Sequence, residues 1–266
     1  MKVEFLSLAA VVSLSACGGS GGTSDPITIG PIEQTSGIEQ VTAEFDDTTG
    51  DAVILLHGGN VPVTRDPRFD KGTFETRRGG TDFGTALFSS ITDNTSALLF
   101  RPNPADITGG PTVSLARFGD STIPTSGSAT LTGDYQGVAQ AGTEVSLTAL
   151  IDGDATLNVD FNTQIIDGIV ENRIARDPAG NGTATVSDMT LEDLTLPAAV
   201  ISDTGSFTTA TEGGGATLGP LTPIETDGTY FGLIGADGTE IVIGVEIETN
   251  LGAGGLLEVG AIAAGH

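Results

Sequence analysis

Apolar and polar positions alternate with a period of two through much of the chain beyond residue 112. Val145, Leu147, Ala149 and Ile151 fall on one side, with Glu144, Ser146 and Thr148 on the other. Ala155, Leu157, Val159 and Phe161 alternate with Thr156, Asn158, Asp160 and Asn162. Ile241, Ile243, Val245 and Ile247 alternate with Val242, Gly244, Glu246 and Glu248, and Leu257, Val259, Ala261 and Ala263 share a face at the end. This is the period of a strand with one buried face. Asp152-Gly153 and Asp237-Gly238 each read as the two-residue turn of a hairpin, since both positions tolerate positive φ. Strands are predicted near 112–118, 128–139, 143–151, 154–162, 165–175 and 182–196, twice within 228–249, at 255–264, and as a further short element at 205–210. Sequential strands joined by short turns suit an all-β, eight-stranded, antiparallel up-and-down barrel, in which closure removes the sheet edges. A barrel of this size is filled by its own side chains. Leu147, Leu157, Val159, Phe161, Ile243 and Val245 are the expected interior, and Gly133, Gly137, Gly232 and Gly244 are expected where strands bend.

Shorter strand candidates precede this region: Ala52–His57, Thr73–Arg77, Thr85–Phe88 and Ala97–Arg101. Breaks at His57-Gly58-Gly59-Asn60 and Arg101-Pro102-Asn103-Pro104 separate them. The stretch Asp106 to Pro111 reads as a boundary. The predicted organisation is therefore a small β-rich region over 41–111 and a barrel domain over 112–266.

The first residues have a different pattern. Met1-Lys2 is followed by an apolar run from Phe5 to Ala16 and then by Cys17, the one cysteine of the chain. A short apolar run behind a basic residue is a secretory signal, too short to span a bilayer. Leu14-Ser15-Ala16-Cys17 resembles the bacterial lipobox, which implies cleavage after residue 16 and a lipid on Cys17. Gly18, in place of aspartate, resembles an outer-membrane sorting signal. The chain is thus expected to be held to the outer membrane through the Cys17 lipid, facing the periplasm or the exterior. Gly18 to Ser24 lack side chains that pack, so 17–40 is expected to be a flexible tether. A single thiol provides no disulfide framework, so the fold must stand on its core.

The composition narrows the function classes. The 266 residues include 39 Gly, 12 Pro and no Trp, with a net charge of −25. That charge repels phosphate, which argues against nucleic acid and anionic lipid headgroups as partners. It suits a soluble surface in salty surroundings. Calcium at Asp152-Gly153-Asp154 is a weaker reading, because no spaced ligand loop is present. The low aromatic content and the carboxylates expected on the outer face at Glu246, Glu248 and Glu258 argue for a soluble barrel over a transmembrane one. Arg65, Arg68, Lys71, Arg77 and Arg78 fall within fourteen positions. They form either a positive ligand-contact spot, built on Arg65, Arg68, Arg77 and Arg78, or a simple charge balance against Asp66, Asp70, Glu75 and Asp82.

Catalytic chemistry has little support. Leu55-Leu56-His57-Gly58-Gly59 resembles an esterase oxyanion loop, but G-x-S-x-G occurs only inside the tether and the other histidine is His266. Asp203-Thr204-Gly205 resembles the active-site loop of aspartic proteases, which needs two such loops, here obtainable only by dimerisation. No zinc cluster, P-loop or dinucleotide fingerprint appears, and no cofactor is expected.

Finally, Gly133-Asp-Tyr-Gln-Gly137, Leu157-Asn-Val-Asp160-Phe161 and Gly168-Ile169, with the tail residues Gly228-Thr-Tyr-Phe-Gly232, Glu240, Gly244 and Glu258-Val-Gly-Ala261, resemble the β-barrel domain of transferrin-binding protein B and related surface lipoproteins, a family that includes factor H-binding protein. The likeness covers roughly residues 112–264. It implies a barrel and a surface lipoprotein with a protein or metal-carrier ligand, and carries over no transferrin-contact residue. The expected function is therefore that of a non-enzymatic, membrane-anchored binding lipoprotein. The alternatives are a dimeric aspartic protease using Asp203 and a structural envelope lipoprotein without a specific ligand.

Overall fold

The computed structural model describes residues 27–29, 32–36, 40–56, 59–79, 85–102, 110–118, 122–141, 148–176, 189–213, 225–250 and 255–265. The signal sequence, Cys17, the glycine-rich start of the tether, His57 and Leu147 lie outside them.

Nine strands form the first sheet: β1 (Ile27–Thr28), β2 (Ile32–Thr35), β3 (Thr42–Phe45), β4 (Ala52–Leu56), β5 (Gly59–Arg65), β6 (Glu75–Gly79), β7 (Thr85–Ile91), β8 (Thr95–Arg101) and β9 (Thr112–Arg117). Their lateral order is β1-β3-β4-β5-β6-β7-β8-β9-β2. The four strands expected between 52 and 101 are all present. Two expectations need correction. The 17–40 stretch is not a tether throughout, because β1 and β2 join the sheet and bury Ile29 and Ile32. The strand expected at 112–118 forms as β9 but pairs with β8 and β2, so it belongs to this sheet and not to the barrel. Its sequence explains the placement. Val113 and Leu115 face one apolar layer and Ala116 faces another, so β9 fits only between layers.

The second sheet contains β10 (Ser128–Ala141), β11 (Thr148–Asp160), β12 (Ile165–Arg176), β13 (Met189–Thr190), β14 (Leu194–Val200), β15 (Ser206–Ala210), β16 (Glu212–Gly213), β17 (Glu225–Ile234), β18 (Ile241–Asn250) and β19 (Gly255–Ala264). The segments β13 and β14 run in turn along β12 and make one stave; β15, paired with β17, and β16, paired with β14, make another, so the ten segments form eight staves. Each stave is antiparallel to its sequence neighbours, and β19 closes on β10 from Gly133↔Ala264 to Ala141↔Leu256. This is the up-and-down eight-stranded barrel read from the alternation. The closure is uneven. β10 and β11 pair over thirteen positions, whereas among the described residues β14 meets β16 at two, Leu194↔Gly213 and Thr195↔Glu212. Pro197 in β14 has no N–H to offer, and its carbonyl accepts instead from the Tyr230 hydroxyl.

The hairpin expected at Asp152-Gly153 does not form; both residues lie inside the single long strand β11. A bulge sits there, with Asp152 opposite Ile174 and Asp154 opposite Glu171, so that Asn172 and Arg173 both oppose Gly153. Asn172 has φ 53°, a left-handed conformation that asparagine tolerates better than most residues. A Cβ on Gly153 would lie 2.8 Å from Val170 Cγ1 and 3.1 Å from Arg173 Cγ. The glycine therefore admits the Val170 and Arg173 side chains and does not turn the chain. The Asp237-Gly238 turn does form, with Gly238 at φ 73°.

Three apolar layers result. Leu157, Val159, Phe161, Ile243 and Val245 point into the barrel as expected, with Val170, Leu196, Phe207, Tyr230 and Ile262. On the barrel's outer side Val138, Leu233, Val242, Val259 and Ala261 pack against Phe74, Phe88, Leu99 and Leu115 of the first sheet. That sheet then curls over itself, so that Ala43, Phe45, Ile54 and Val63 cover Leu87, Leu98 and Phe100. Strands between two layers need apolar residues on both faces, which accounts for runs such as Ile241-Val242-Ile243. Several strand glycines lie under aromatic rings. A Cβ on Gly260 would come 2.5 Å from Tyr135 Cε2, one on Gly232 2.7 Å from Phe207 Cε2, and one on Gly244 2.7 Å from Phe231 Cε2.

Candidate interaction site

The barrel interior is occupied by a charged group. Arg173 from β12 and Glu258 from β19 are 0% and 2% exposed. Arg173 Nη2 donates to Glu258 Oε1 at 2.6 Å and Oε2 at 2.7 Å, and Nη1 donates to the Glu192 carbonyl at 2.7 Å. The Tyr135 hydroxyl donates to Glu258. Burial, then the Glu258 charge, pushes the phenol well above its ordinary value, so it stays a donor. Burial opposes the charge on Arg173, but Glu258 and Tyr135 more than offset this and its pKa moves up. The expectation that Glu258 lies on the outer face is thus wrong. Along β19 the inward residues are Leu256, Glu258, Gly260, Ile262 and Ala264, while Val259, Ala261 and Ala263 point outward to the first sheet. Both faces are apolar, so alternation could not say which was inside. With aromatic rings and this ion pair inside it, the interior is a packed core.

The structure brings the four arginines together on β5, β6 and the 3-10 turn Pro67–Phe69, each with a carboxylate. Arg65 makes a two-point contact with Asp70, at 2.7 and 2.6 Å. Arg68 does the same with Asp66, at 2.8 and 2.7 Å, and Arg78 reaches Asp66 at 3.1 Å. Arg77 is buried; it donates to Glu75 at 2.7 Å, Ser89 Oγ at 2.7 Å and the Gly50 carbonyl at 2.6 Å, and lies 4.5 Å above the Phe45 ring. Burial lowers its pKa despite the Glu75 partner. Lys71 crosses to the barrel and meets Asp154 at 2.7 Å. Arg68 is the most displayed of the four arginines, its side chain 71% exposed. These pairs tie β5, β6 and the 3-10 turn together. The aspartates considered for calcium are also paired: Asp154 is taken by Lys71, and Asp152 by Arg176 at 2.9 Å.

Asp203 sits on the exposed turn between β14 and β15. Ser202 N donates to the Ser206 carbonyl at 2.8 Å across it. Arg117 of β9 donates to the Thr204 carbonyl at 2.6 Å and the Ile234 carbonyl at 3.0 Å, and pairs with Glu33 at 2.7 Å. Gly205 has φ 75°, and a Cβ there would press on Ile123 and Arg117. The Asp-Thr-Gly turn thus anchors the end of the barrel to the first sheet.

The outer face of β10, β11 and β12 carries an open concavity of about 510 Å³, lined in part by Ser128, Thr130, Asn158, Asp160, Ile165 and Asp167. A polar ladder crosses it: Thr130 Oγ1 donates to Asn158 Oδ1 at 3.1 Å, and Asn158 Nδ2 to Asp167 Oδ1 at 3.0 Å. Asn162 and Thr163 hold the Asp160 carboxyl below the usual carboxylate range. Sequence reasoning missed this place because its residues are ordinary polar positions on the solvent side of alternating strands, and only the register aligns them.

No family model matches the chain, and no curated protein matches it. Solved structures do. A tryptophan-to-alanine mutant of the vaccine antigen Transferrin Binding Protein B from Haemophilus parasuis Hp5 is similar at a TM-score of 0.53 and 12% identity, covering 88% of this chain and 44% of that one. A double mutant of the same antigen gives 0.51 and 12%, covering 88% and 45%. The chain spans less than half the length of either. The likeness is one of fold, and it extends over both the first sheet and the barrel.

Proposed function

We propose that the protein is a lipid-anchored surface lipoprotein, held to the outer membrane through Cys17, that binds a protein partner and catalyses no reaction. The observation that carries this reading is the packed interior. The Arg173–Glu258 pair and the rings around it fill the barrel, so the surface, on loops and strand faces, is what a partner meets. The fold it shares with an antigen named for binding transferrin makes a metal-carrier protein the first ligand class to test. On this reading Arg65, Arg77 and Arg78 hold the first sheet together, and any arginine contact with a partner runs through Arg68.

The test uses the whole lipoprotein in detergent, immobilised through its C-terminus and exposed to iron-loaded and iron-free carrier proteins. Saturable retention of a carrier supports the reading; retention of no protein from either preparation or from the natural medium refutes it. Anchoring is tested separately. Cys17→Ser is expected to release the protein from the membrane fraction or leave it as precursor. A variant of normal mature mass that still partitions into detergent would refute the anchor.

A further inference from the structure

Among the described residues three large apolar side chains are exposed, and two of them are cross-strand neighbours: Ile165 on β12, 36% exposed, and Val200 on β14, 74% exposed. Single exposed apolar residues are ordinary; here two are adjacent, and Ile165 lines the concavity. The register places Ile165 opposite Asp160 on its other side, and Asp160 opposite Ser128. The apolar pair therefore continues a row that forms the rim of the concavity, one step from the Thr130–Asn158–Asp167 ladder.

The charge on this face is one-sided. Of the ten basic residues, the seven from Arg65 to Arg117 belong to the region of the first sheet, Arg173 points into the barrel, and Arg176 is paired with Asp152 at 2.9 Å. The outward carboxylates of the opposite wall, Asp160, Asp167, Glu171, Glu192 and Asp193, have no ion-pair partner among the described residues. Asp160 stands opposite Ile165, the cross-strand neighbour of Val200, and Asp167 lies two residues along β12 from Ile165. The most exposed apolar side chain described is thus flanked by carboxylates that meet no cation among the described residues.

We infer that the Ile165–Val200 pair and the adjoining concavity form a docking surface for a protein segment that brings lysine or arginine side chains around one apolar side chain. The apolar side chain packs on Val200 and Ile165, and the cations reach Asp160 and Asp167. The Asn158 hydrogen bond holds Asp167 in place before the partner arrives, which lowers the entropy cost of binding. The charges steer the encounter and the apolar contact limits dissociation. This inference rests on the reading of the chain as a binding protein and names the chemistry of its partner.

The probe is a cyclic hairpin peptide of alternating lysines and threonines with one central leucine, titrated into the intact lipoprotein in detergent micelles. Two control peptides replace the lysines by glutamate or the leucine by serine. The protein variants are Val200→Ser combined with Asp167→Asn, and Asp47→Asn, which removes a carboxylate from an exposed turn of the first sheet. Binding of the lysine–leucine peptide is expected, with roughly tenfold loss in the Val200→Ser/Asp167→Asn variant, a comparable loss for the serine peptide, and no change in Asp47→Asn. Equal losses in both protein variants would reduce the effect to the general negative field and overturn the inference. So would equal binding by wild type and the Val200→Ser/Asp167→Asn variant, or no binding of the lysine–leucine peptide. None of these outcomes touches the broader reading, which fails only if the intact protein retains no protein partner at all.

Discussion

Glu258 and Arg173 meet where neither is reached by solvent, with Tyr135 as a third member. A buried ion pair gains little net stability over a well-packed apolar substitute, but removing one partner strands a charge. Arg173→Met and Glu258→Leu are each expected to cost about 3–5 kcal/mol, and the double variant far less than their sum. Urea unfolding of the four proteins checks this; additive losses would show that the two side chains act independently. Carboxylates elsewhere set the pH response. Burial, and for Glu246 the nearby Glu248, raises the pKa of Asp152 and Glu246 above ordinary values of 3.8 and 4.5. The folded state therefore takes up these protons more readily than the unfolded chain, and stability rises as pH falls through the raised values. Asp66, held down chiefly by Arg68, and Asp154, held down chiefly by Lys71, act oppositely: their stabilisation is complete above 3.8 and is lost as pH falls further. Tm is thus expected to rise from neutral into mild acid and to fall below 3.8. A monotonic decline from neutral pH would contradict the raised values.

At the scale of the strand, alternation identified elements well and their surroundings poorly. The interior positions Leu157, Val159, Phe161, Ile243 and Val245 are legible because β11 from Ala155 onward and β18 from Ile243 onward alternate with polar or glycine positions. On β19 the period is present but both faces are apolar, so alternation alone puts Glu258 on the wrong side. β9 was legible as a strand, but nothing local says which sheet it joins. Gly153 shows the limit of turn chemistry most clearly. Asp-Gly is a strong hairpin signal, yet here the glycine is required by a side chain from the next strand, a long-range fact absent from the local sequence. Gly153→Ala is therefore expected to destabilise by about 1–3 kcal/mol through crowding with Val170 and Arg173, and to add less in a Val170→Ala background, which removes the nearest atom. Calorimetry of the single and combined variants checks this; an unchanged Tm in Gly153→Ala would show that the strand has room to spare. The docking surface was illegible for a related reason, since Ile165 and Val200 are separated by thirty-four intervening residues in the chain and meet only through the register of β12 with β14.

For the molecule as a whole, the first sheet clasps one wall of the barrel while the opposite wall faces outward. The clasp supplies a second apolar layer to β18, β19 and β10, plus the ties from Arg117 to the Thr204 carbonyl and from Lys71 to Asp154. Among the described residues the far side has no second apolar layer; there β14 meets β16 through two residue pairs, Pro197 withholds a donor, and the Ser202–Ser206 and Tyr230–Pro197 hydrogen bonds are the further ties. A cylinder with one lightly stitched joint does not loosen evenly. Thermal fluctuation opens it along that joint, as a barrel stave lifts where the hoop is thin. Amide exchange should show the difference directly. The amides of Leu194–Val200 and Ser206–Ala210 are expected to exchange through a local opening well below the global unfolding free energy, while those shared by β10 and β11 exchange only with global unfolding. Uniform protection around the circumference would contradict this. The docking surface at Val200 borders that joint, so a partner that packs across β12 and β14 would act as a rivet, and its binding would register as slowed exchange on a strand it never touches, β15.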